Sequence, residues 1–150
     1  MIITFVGHSS LYKKSELSGI LKKTIMDRIA CKEPVSFYCG GYGDFDTLCA
    51  KVCHFIKQER NDCEIVFITP YITESQQGKI NYLIKNNVYD SVIYPPLEKI
   101  PFKFAIRKRN EWMVDQADLV IAYVEYTSGG AYKTLCYAQK RKKHIINLAK

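Results

Sequence analysis

Short apolar runs alternate along the chain with longer segments in which apolar residues recur every three or four positions. The runs lie at residues 2–6, 35–39, 64–69, 91–94, 119–124 and 144–148. Apolar runs of this length are typical of strands that are buried on both faces, and the segments between them are typical of helices. The pattern therefore predicts an α/β fold, with a Rossmann-like, doubly wound, mainly parallel sheet that helices cover on both faces.

The segments between the runs predict helices with one apolar side. In the first helix that side consists of Leu17, Ile20, Leu21, Ile25 and Ile29. In the second helix it consists of Phe45, Leu48, Val52, Phe55 and Ile56. Ser15 is the expected N-cap of the first helix. A shorter helix is expected around Ile80, although Gly78 weakens it, and two more are expected at residues 103–116 and 131–143.

Composition indicates one folded domain with an anionic partner. The chain has 150 residues, the ordinary size of a single domain, and 47% of them are hydrophobic. Its 22 Lys and Arg against 15 Asp and Glu give a net charge of +7, which suits a nucleotide, a nucleic acid or an acidic surface. The sequence has neither a signal peptide nor a membrane-spanning apolar run, so we expect a cytoplasmic protein with no membrane partner.

Six cysteines lie at positions 31, 39, 49, 53, 63 and 136. In a reducing cytoplasm they are expected to be free thiols. Cys49 and Cys53 share a helix face, but no second pair has the spacing of metal ligands. We therefore expect no metal site and no cofactor.

Glycine turns follow two of the predicted strands and precede predicted helices. Gly40, Gly41 and Gly43 form the first turn, and Gly129 and Gly130 form the second. The carboxyl ends of parallel strands meet at one edge of a sheet, where backbone amides and the positive end of a helix dipole attract anions. Neither turn matches the dinucleotide or P-loop fingerprint. The alternative is that these glycines only allow the chain to turn.

Other polar residues belong to the same predicted edge. A carboxylate beside a phosphate repels it, so one of Asp44 and Asp46 is expected to cap the helix and the other to accept hydrogen bonds from ribose hydroxyls. Arg109 is expected to contact a phosphate, whereas Trp112 and Met113 are expected in the core. The candidate ligand-binding residues are Gly7, His8, Ser9, Gly40, Gly41, Tyr42, Gly43, Asp44, Asp46, Arg109, Thr127, Ser128, Gly129, Gly130, Ala131 and Tyr132.

Four segments of the chain carry a family resemblance. They read "YCGGYGDFD", "FAIRKRNEWMVDQADLVIAYV", "TSGGAYKTLCYAQK" and "HIINLA". Together they resemble the SLOG superfamily, Rossmann-like domains related to Smf/DprA and to the Lonely Guy phosphoribohydrolases, and in particular its short stand-alone bacterial members. The resemblance implies one SLOG-like domain over residues 1–150. It also implies a nucleotide-derived ligand, such as an ADP-ribose derivative, a nucleoside phosphate or a cyclic nucleotide signal.

The resemblance carries over to catalysis only in part. Lonely Guy enzymes use an Arg that matches Arg109, and a Glu in the motif GGxGTxxE that has no match, since residues 129–137 contain no acid. Glu125, Asp44 and Asp46 are the remaining acids that a substitute would come from.

The leading interpretation is a sensor or sequestering protein that binds its ligand without obligatory chemistry. The alternative is a nucleoside 5′-monophosphate phosphoribohydrolase in which Arg109 is catalytic. Binding of single-stranded nucleic acid, motivated by the charge and by "KRKKH" at 140–144, ranks third. The relatives commonly form dimers, so the resemblance also implies a homodimer or a higher homo-oligomer.

Overall fold

The computed structural model describes residues 1–12, 14–29 and 33–149. The strands are β1 (Ile2–Gly7), β2 (Val35–Cys39), β3 (Cys63–Ile68), β4 (Ser91–Ile93), β5 (Leu119–Tyr123) and β6 (Ile145–Asn147). The α-helices are α1 (Lys14–Arg28), α2 (Gly43–Glu59), α3 (Glu74–Lys85), α4 (Ala105–Gln116) and α5 (Gly129–Lys140). A 3₁₀ turn at Phe102–Phe104 leads into α4.

The strands form one parallel six-stranded sheet in the order β4-β3-β2-β1-β5-β6. The chain runs outward from β1 to β4 on one side and returns to β5 and β6 on the other. Helices α1 and α2 pack on each other, as do α4 and α5. The predicted fold class is thus confirmed. Strand order reverses between β1 and β5, which is where ligands bind in sheets of this kind.

Helix α1 differs from the sequence prediction at three residues, one of which is Ile29, which is buried but follows the end of the helix at Arg28. Leu17, Leu21 and Ile25 are buried, but Ile20 is 51% exposed. Ile20 lies about a third of a turn from the centre of the buried stripe, because that stripe follows the i, i+4 spacing. Ser15 lies inside the helix, which already begins at Lys14, so the prediction that Ser15 is the N-cap was wrong.

Helix α2 covers β1, β2 and β3 with a mixed apolar face. Phe45, Leu48, Val52 and Ile56 are buried as predicted, but Phe55 is 56% exposed. The two thiols Cys49 and Cys53 occupy that face in its place, and burial raises the pKa of both.

The remaining observations concern α3, the cysteines and membrane insertion. Helix α3 forms as expected around Ile80, with Thr73 as its N-cap. Five cysteines are free thiols, namely Cys39, Cys49, Cys53, Cys63 and Cys136, whereas Cys31 lies outside the described residues. Over the described ranges, no helix has the length and apolar character needed to span a membrane.

Candidate functional site

A cavity of about 510 Å³ opens at the carboxyl ends of β1 and β5, where the strand order reverses. Its walls come from β1 and the loop after it, from the start of α2, from one side of α4, and from the β5–α5 loop with the first turns of α5. Ten predicted residues line it, namely Gly7, His8, Ser9, Tyr42, Asp46, Arg109, Ser128, Gly129, Gly130 and Ala131. The other six, Gly40, Gly41, Gly43, Asp44, Thr127 and Tyr132, are outside its lining.

Arg109 is the buried cation of this cavity, with 1% of its surface exposed. Its Nη1 donates to the carbonyl oxygens of Gly40 at 2.9 Å and Ile68 at 2.7 Å, and its Nε donates to Asn110 Oδ1 at 2.9 Å. These bonds tie α4 to the ends of β2 and β3. Within the described residues Nη2 donates no hydrogen bond. Burial lowers the pKa of Arg109, and the nearby Asp46 opposes that shift.

Asp46 is the acid of the cavity. Its Oδ2 accepts a hydrogen bond from the backbone N–H of Tyr42 at 2.9 Å, so it reaches back over the first turn of α2. Burial raises the pKa of Asp46 to about 6, and the Tyr42 bond and the charge of Arg109 offset part of that rise. The carboxyl group therefore changes its charge close to neutral pH.

The first turn of α2 is closed by the protein itself. The N–H of Asp44 donates to the carbonyl of Ser9 at 2.9 Å, and that of Phe45 to the carbonyl of His8 at 3.4 Å. Asp44 Oδ2 accepts from the N–H of Leu11 at 2.9 Å. The first glycine turn therefore holds the β1–α1 loop on α2, and these amides are not offered to an anion.

The first turn of α5 is open to the cavity. Ser128 occupies the N-cap position in an extended conformation and makes no side-chain cap bond. A Cβ at Gly129 or Gly130 would meet no atom within 4 Å. The first amides of a helix have no partner inside it, so those at Gly129 to Ala131 are the amides of this edge that an anion could reach. The two glycine turns therefore differ in role.

Aromatic rings form the wall between the β1–α1 and β5–α5 loops. His8 Nε2 accepts a hydrogen bond from the N–H of Glu125 at 2.8 Å, and its ring centre lies 4.7 Å from that of Tyr126. Tyr42 also lines the cavity, and its ring centre lies 5.6 Å from Arg109 Cζ and 5.3 Å from Lys79 Nζ. The cavity thus combines amides, a guanidinium and aromatic faces.

Sequence reasoning missed eleven residues of the lining. They are Thr4, Phe5, Val6, Ser10, Tyr12, Ile106, Asn110, Met113, Val114, Tyr126 and Thr134. Thr4 carried a signal, since it is the hydroxyl residue within the first apolar run, and its Oγ1 donates to the carbonyl of Tyr38 at 3.0 Å. Tyr12 and Tyr126 are within three residues of predicted site residues, so their nearness to the predicted turns was a signal. The apolar members had no signal that separates them from core.

The basic run at the end of α5 lies away from the cavity. Helix α5 starts at the cavity and has 12 residues, so its end is about 18 Å away. Lys143 Nζ donates to the carbonyls of Asp115 at 3.0 Å and Ala117 at 3.1 Å, at the end of α4. Arg141 pairs with the Asp115 carboxylate at 3.0 Å. Part of this run therefore stabilises a helix end.

The parallel six-stranded sheet with its helices places the chain among α/β proteins of Rossmann-like fold. A solved structure of DNA processing protein A (DprA) from Helicobacter pylori, which binds single-stranded DNA, is similar, with a TM-score of 0.61 and 14% sequence identity. The match covers 97% of this chain but 63% of that one, so this chain spans less than two thirds of its length. At this identity the likeness shows the fold. No protein-family model matches the chain, and no curated protein matches it in sequence.

Proposed function

We propose that the chain is a single SLOG-like domain that binds a nucleotide-derived ligand, as a sensor or a sequestering protein. The observation that carries this proposal is the combination, in one cavity, of the open first turn of α5 with the buried guanidinium of Arg109. The cavity volume of about 510 Å³ lies within the range of small-molecule sites. The net charge of +7 favours the approach of an anion.

In this proposal the phosphate of the ligand lies on the amides of Gly129 to Ala131, and the Nη2 of Arg109 faces the same anion. Binding without chemistry is favoured because Arg109 Nη1 already donates hydrogen bonds to two backbone carbonyls. Asp46 lies in the same cavity and suits a ribose hydroxyl, since its carboxyl oxygens accept hydrogen bonds. The ligands expected are a nucleoside phosphate, an ADP-ribose derivative or a cyclic nucleotide.

The test is calorimetric titration of the protein with AMP, ADP-ribose, cyclic AMP and ribose 5-phosphate. Gly130→Asp adds a carboxylate where the phosphate would lie, and Gly78→Asp adds one on α3; at both positions an added Cβ meets no atom within 4 Å. We expect at least one of these ligands to bind, and Gly130→Asp to weaken it by about tenfold or more, whereas Gly78→Asp has little effect. No binding of any phosphorylated ligand, or equal effects of the two variants, would overturn the proposal.

A second candidate is a nucleotide N-glycosidase of the Lonely Guy type. It is favoured by the position of Asp46, whose carboxyl group lines the cavity and has a pKa of about 6. Of the other two acids, Asp44 is bonded to Leu11 and Glu125 lines a neighbouring cavity. A carboxylate close to the sugar would stabilise the oxocarbenium-like transition state. Release of free base from a nucleoside monophosphate, abolished by Asp46→Asn and by Arg109→Ala, would make this the function.

A third candidate is binding of single-stranded nucleic acid, which DprA from Helicobacter pylori performs. It is favoured by the exposed ring of Phe104 just before α4, whose centre lies 5.1 Å from both Lys103 Nζ and Arg107 Cζ. Stacking rings beside cations are typical of single-strand binding. The test measures the salt dependence of binding to an oligonucleotide. The double variant Lys103→Gln, Arg107→Gln should lower the slope, while the control pair Lys140→Gln, Lys142→Gln leaves it unchanged.

A further inference from the structure

A smaller cavity of about 280 Å³, here called the side cavity, adjoins the main cavity. Its walls include His8 and Tyr12 from the β1–α1 loop and Tyr123, Glu125 and Tyr126 from the end of β5 and the loop after it. His8, Tyr12 and Tyr126 line both cavities, so the two are neighbouring parts of one depression.

The side cavity has aromatic walls that the protein leaves uncovered. Tyr12 is 92% exposed and Tyr126 is 54% exposed. The ring of His8 is fixed between the two loops, because its Nε2 accepts the N–H of Glu125 and its centre lies 4.7 Å from that of Tyr126. Exposed rings beside a fixed one offer faces on which a planar base can stack.

Glu125 gives this side cavity its polarity. Its Oε1 accepts a hydrogen bond from the hydroxyl of Tyr123 at 2.5 Å, and that bond raises the pKa of Tyr123. Of the described residues, Tyr123 alone donates to this carboxylate. An ionised carboxylate accepts hydrogen bonds and repels phosphate, so this cavity suits a group with N–H donors. The phosphate is then left to the start of α5.

We propose that the side cavity is the base subsite of the nucleotide site and that Glu125 selects a base with an exocyclic amino group. This inference rests on the proposed function, since it assumes that the phosphate lies at the first turn of α5. Tyr126 precedes Ser128 by two residues, so their Cα atoms are at most about 7 Å apart, which is within the length of one mononucleotide. One mononucleotide can thus reach both places, with the base on Tyr126 and the amino group on Glu125.

The experiment compares three ligands on the unmodified protein by calorimetry. AMP and purine riboside 5′-monophosphate differ by the amino group alone, and ribose 5-phosphate lacks the base. We expect AMP to bind about tenfold more tightly than ribose 5-phosphate, because its base stacks. We expect it to bind roughly fivefold more tightly than the analogue without the amino group, because that analogue cannot donate to Glu125.

Two variants with matched controls assign these differences to residues. Tyr126→Leu should remove the advantage of AMP over ribose 5-phosphate, whereas Tyr82→Leu, at an exposed ring of α3, should leave it. Glu125→Ala should remove the preference for the amino group, whereas Glu74→Ala, at an exposed acid of the same helix α3, should leave it.

The outcomes separate this inference from the proposed function. If ribose 5-phosphate and both nucleotides bind equally well, the base subsite is overturned and the phosphate site stands. If Tyr126→Leu weakens ribose 5-phosphate as much as AMP, the ring has no role specific to the base and the subsite is likewise overturned. If none of the three ligands binds, the base subsite is overturned, and the proposed function also fails unless ADP-ribose or cyclic AMP binds. The ligand comparison uses the unmodified protein, so it remains decisive even if a variant does not fold.

Discussion

Replacing Asp46 by asparagine should stabilise the protein at neutral pH. The side chain is half-buried, and burial raises its pKa from 3.8 to about 6 in spite of the Tyr42 bond and the charge of Arg109. The cost of burying the charge therefore exceeds the attraction of Arg109. The amide oxygen of the asparagine would still accept the N–H of Tyr42, but the side chain would carry no charge.

The magnitude follows from the two pKa values. A difference of about two corresponds to about 3 kcal/mol, and because the carboxyl group keeps some contact with the cavity we expect about 1 to 3 kcal/mol. The folded state takes up this proton at higher pH than the unfolded state. The penalty is therefore fully present above pH 6 and decreases as the pH falls from about 6 towards 4.

The assay is urea unfolding of the wild-type protein and Asp46→Asn at several pH values from 4 to 8. The difference in the free energy of unfolding should favour the variant at pH 8 and should shrink by about 1 to 3 kcal/mol by pH 4. Asp27→Asn, at an exposed carboxylate of α1, serves as the control and should show no such gain. A variant that is less stable than the wild type by the same amount at every pH would refute the reasoning.

Three further predictions concern stability and can be checked by urea unfolding. Arg109→Met removes the donors to the carbonyls of β2 and β3 and should cost about 2 to 4 kcal/mol. Gly43 and Gly129 both have positive φ, but a Cβ at Gly43 would lie 2.6 Å from Ser9 Cα, whereas one at Gly129 would meet no atom within 4 Å. Gly43→Ala should therefore lower the free energy of unfolding more than Gly129→Ala does, and equal decreases would contradict this. The pKa of Asp90 is lowered, because burial raises it by less than the bonds to Lys57 and to the N–H of Ile65 lower it. Asp90→Asn should therefore reduce the free energy of unfolding at neutral pH and reduce it progressively less in acid.

The fold was readable from the sequence because three of its interior strands, β1, β3 and β5, are largely buried on both faces. The predicted runs at 35–39 and 119–124 correspond to β2 and β5 to within one residue, since neither run contains a fully exposed residue. The errors fall on helix sides, where apolar residues at the border of a stripe, such as Ile20 and Phe55, are exposed. Spacing alone does not separate the centre of a stripe from its border.

The sequence predicted which edge of the sheet carries the candidate site, but it did not predict the hydrogen bonds made there. The loops at Gly7, Gly40 and Gly129 meet at one edge because parallel strands require it. The sequence does not show that α2 uses its first amides on the carbonyls of Ser9 and His8, because that bond depends on how two loops pack. For the same reason the sequence does not show the two hydrogen bonds of Arg109 to the ends of β2 and β3, because they form only in the assembled sheet.

The outer strands of the sheet have a consequence for self-association. β4 and β6 each contain three residues, whereas the interior strands contain five or six. Such short edge strands offer few backbone groups with which a strand of another chain could pair, which is a known protection against fibril growth. A homo-oligomer of this protein, which remains a prediction, would therefore be built by helix-to-helix packing, and its sheet would stay confined to one subunit.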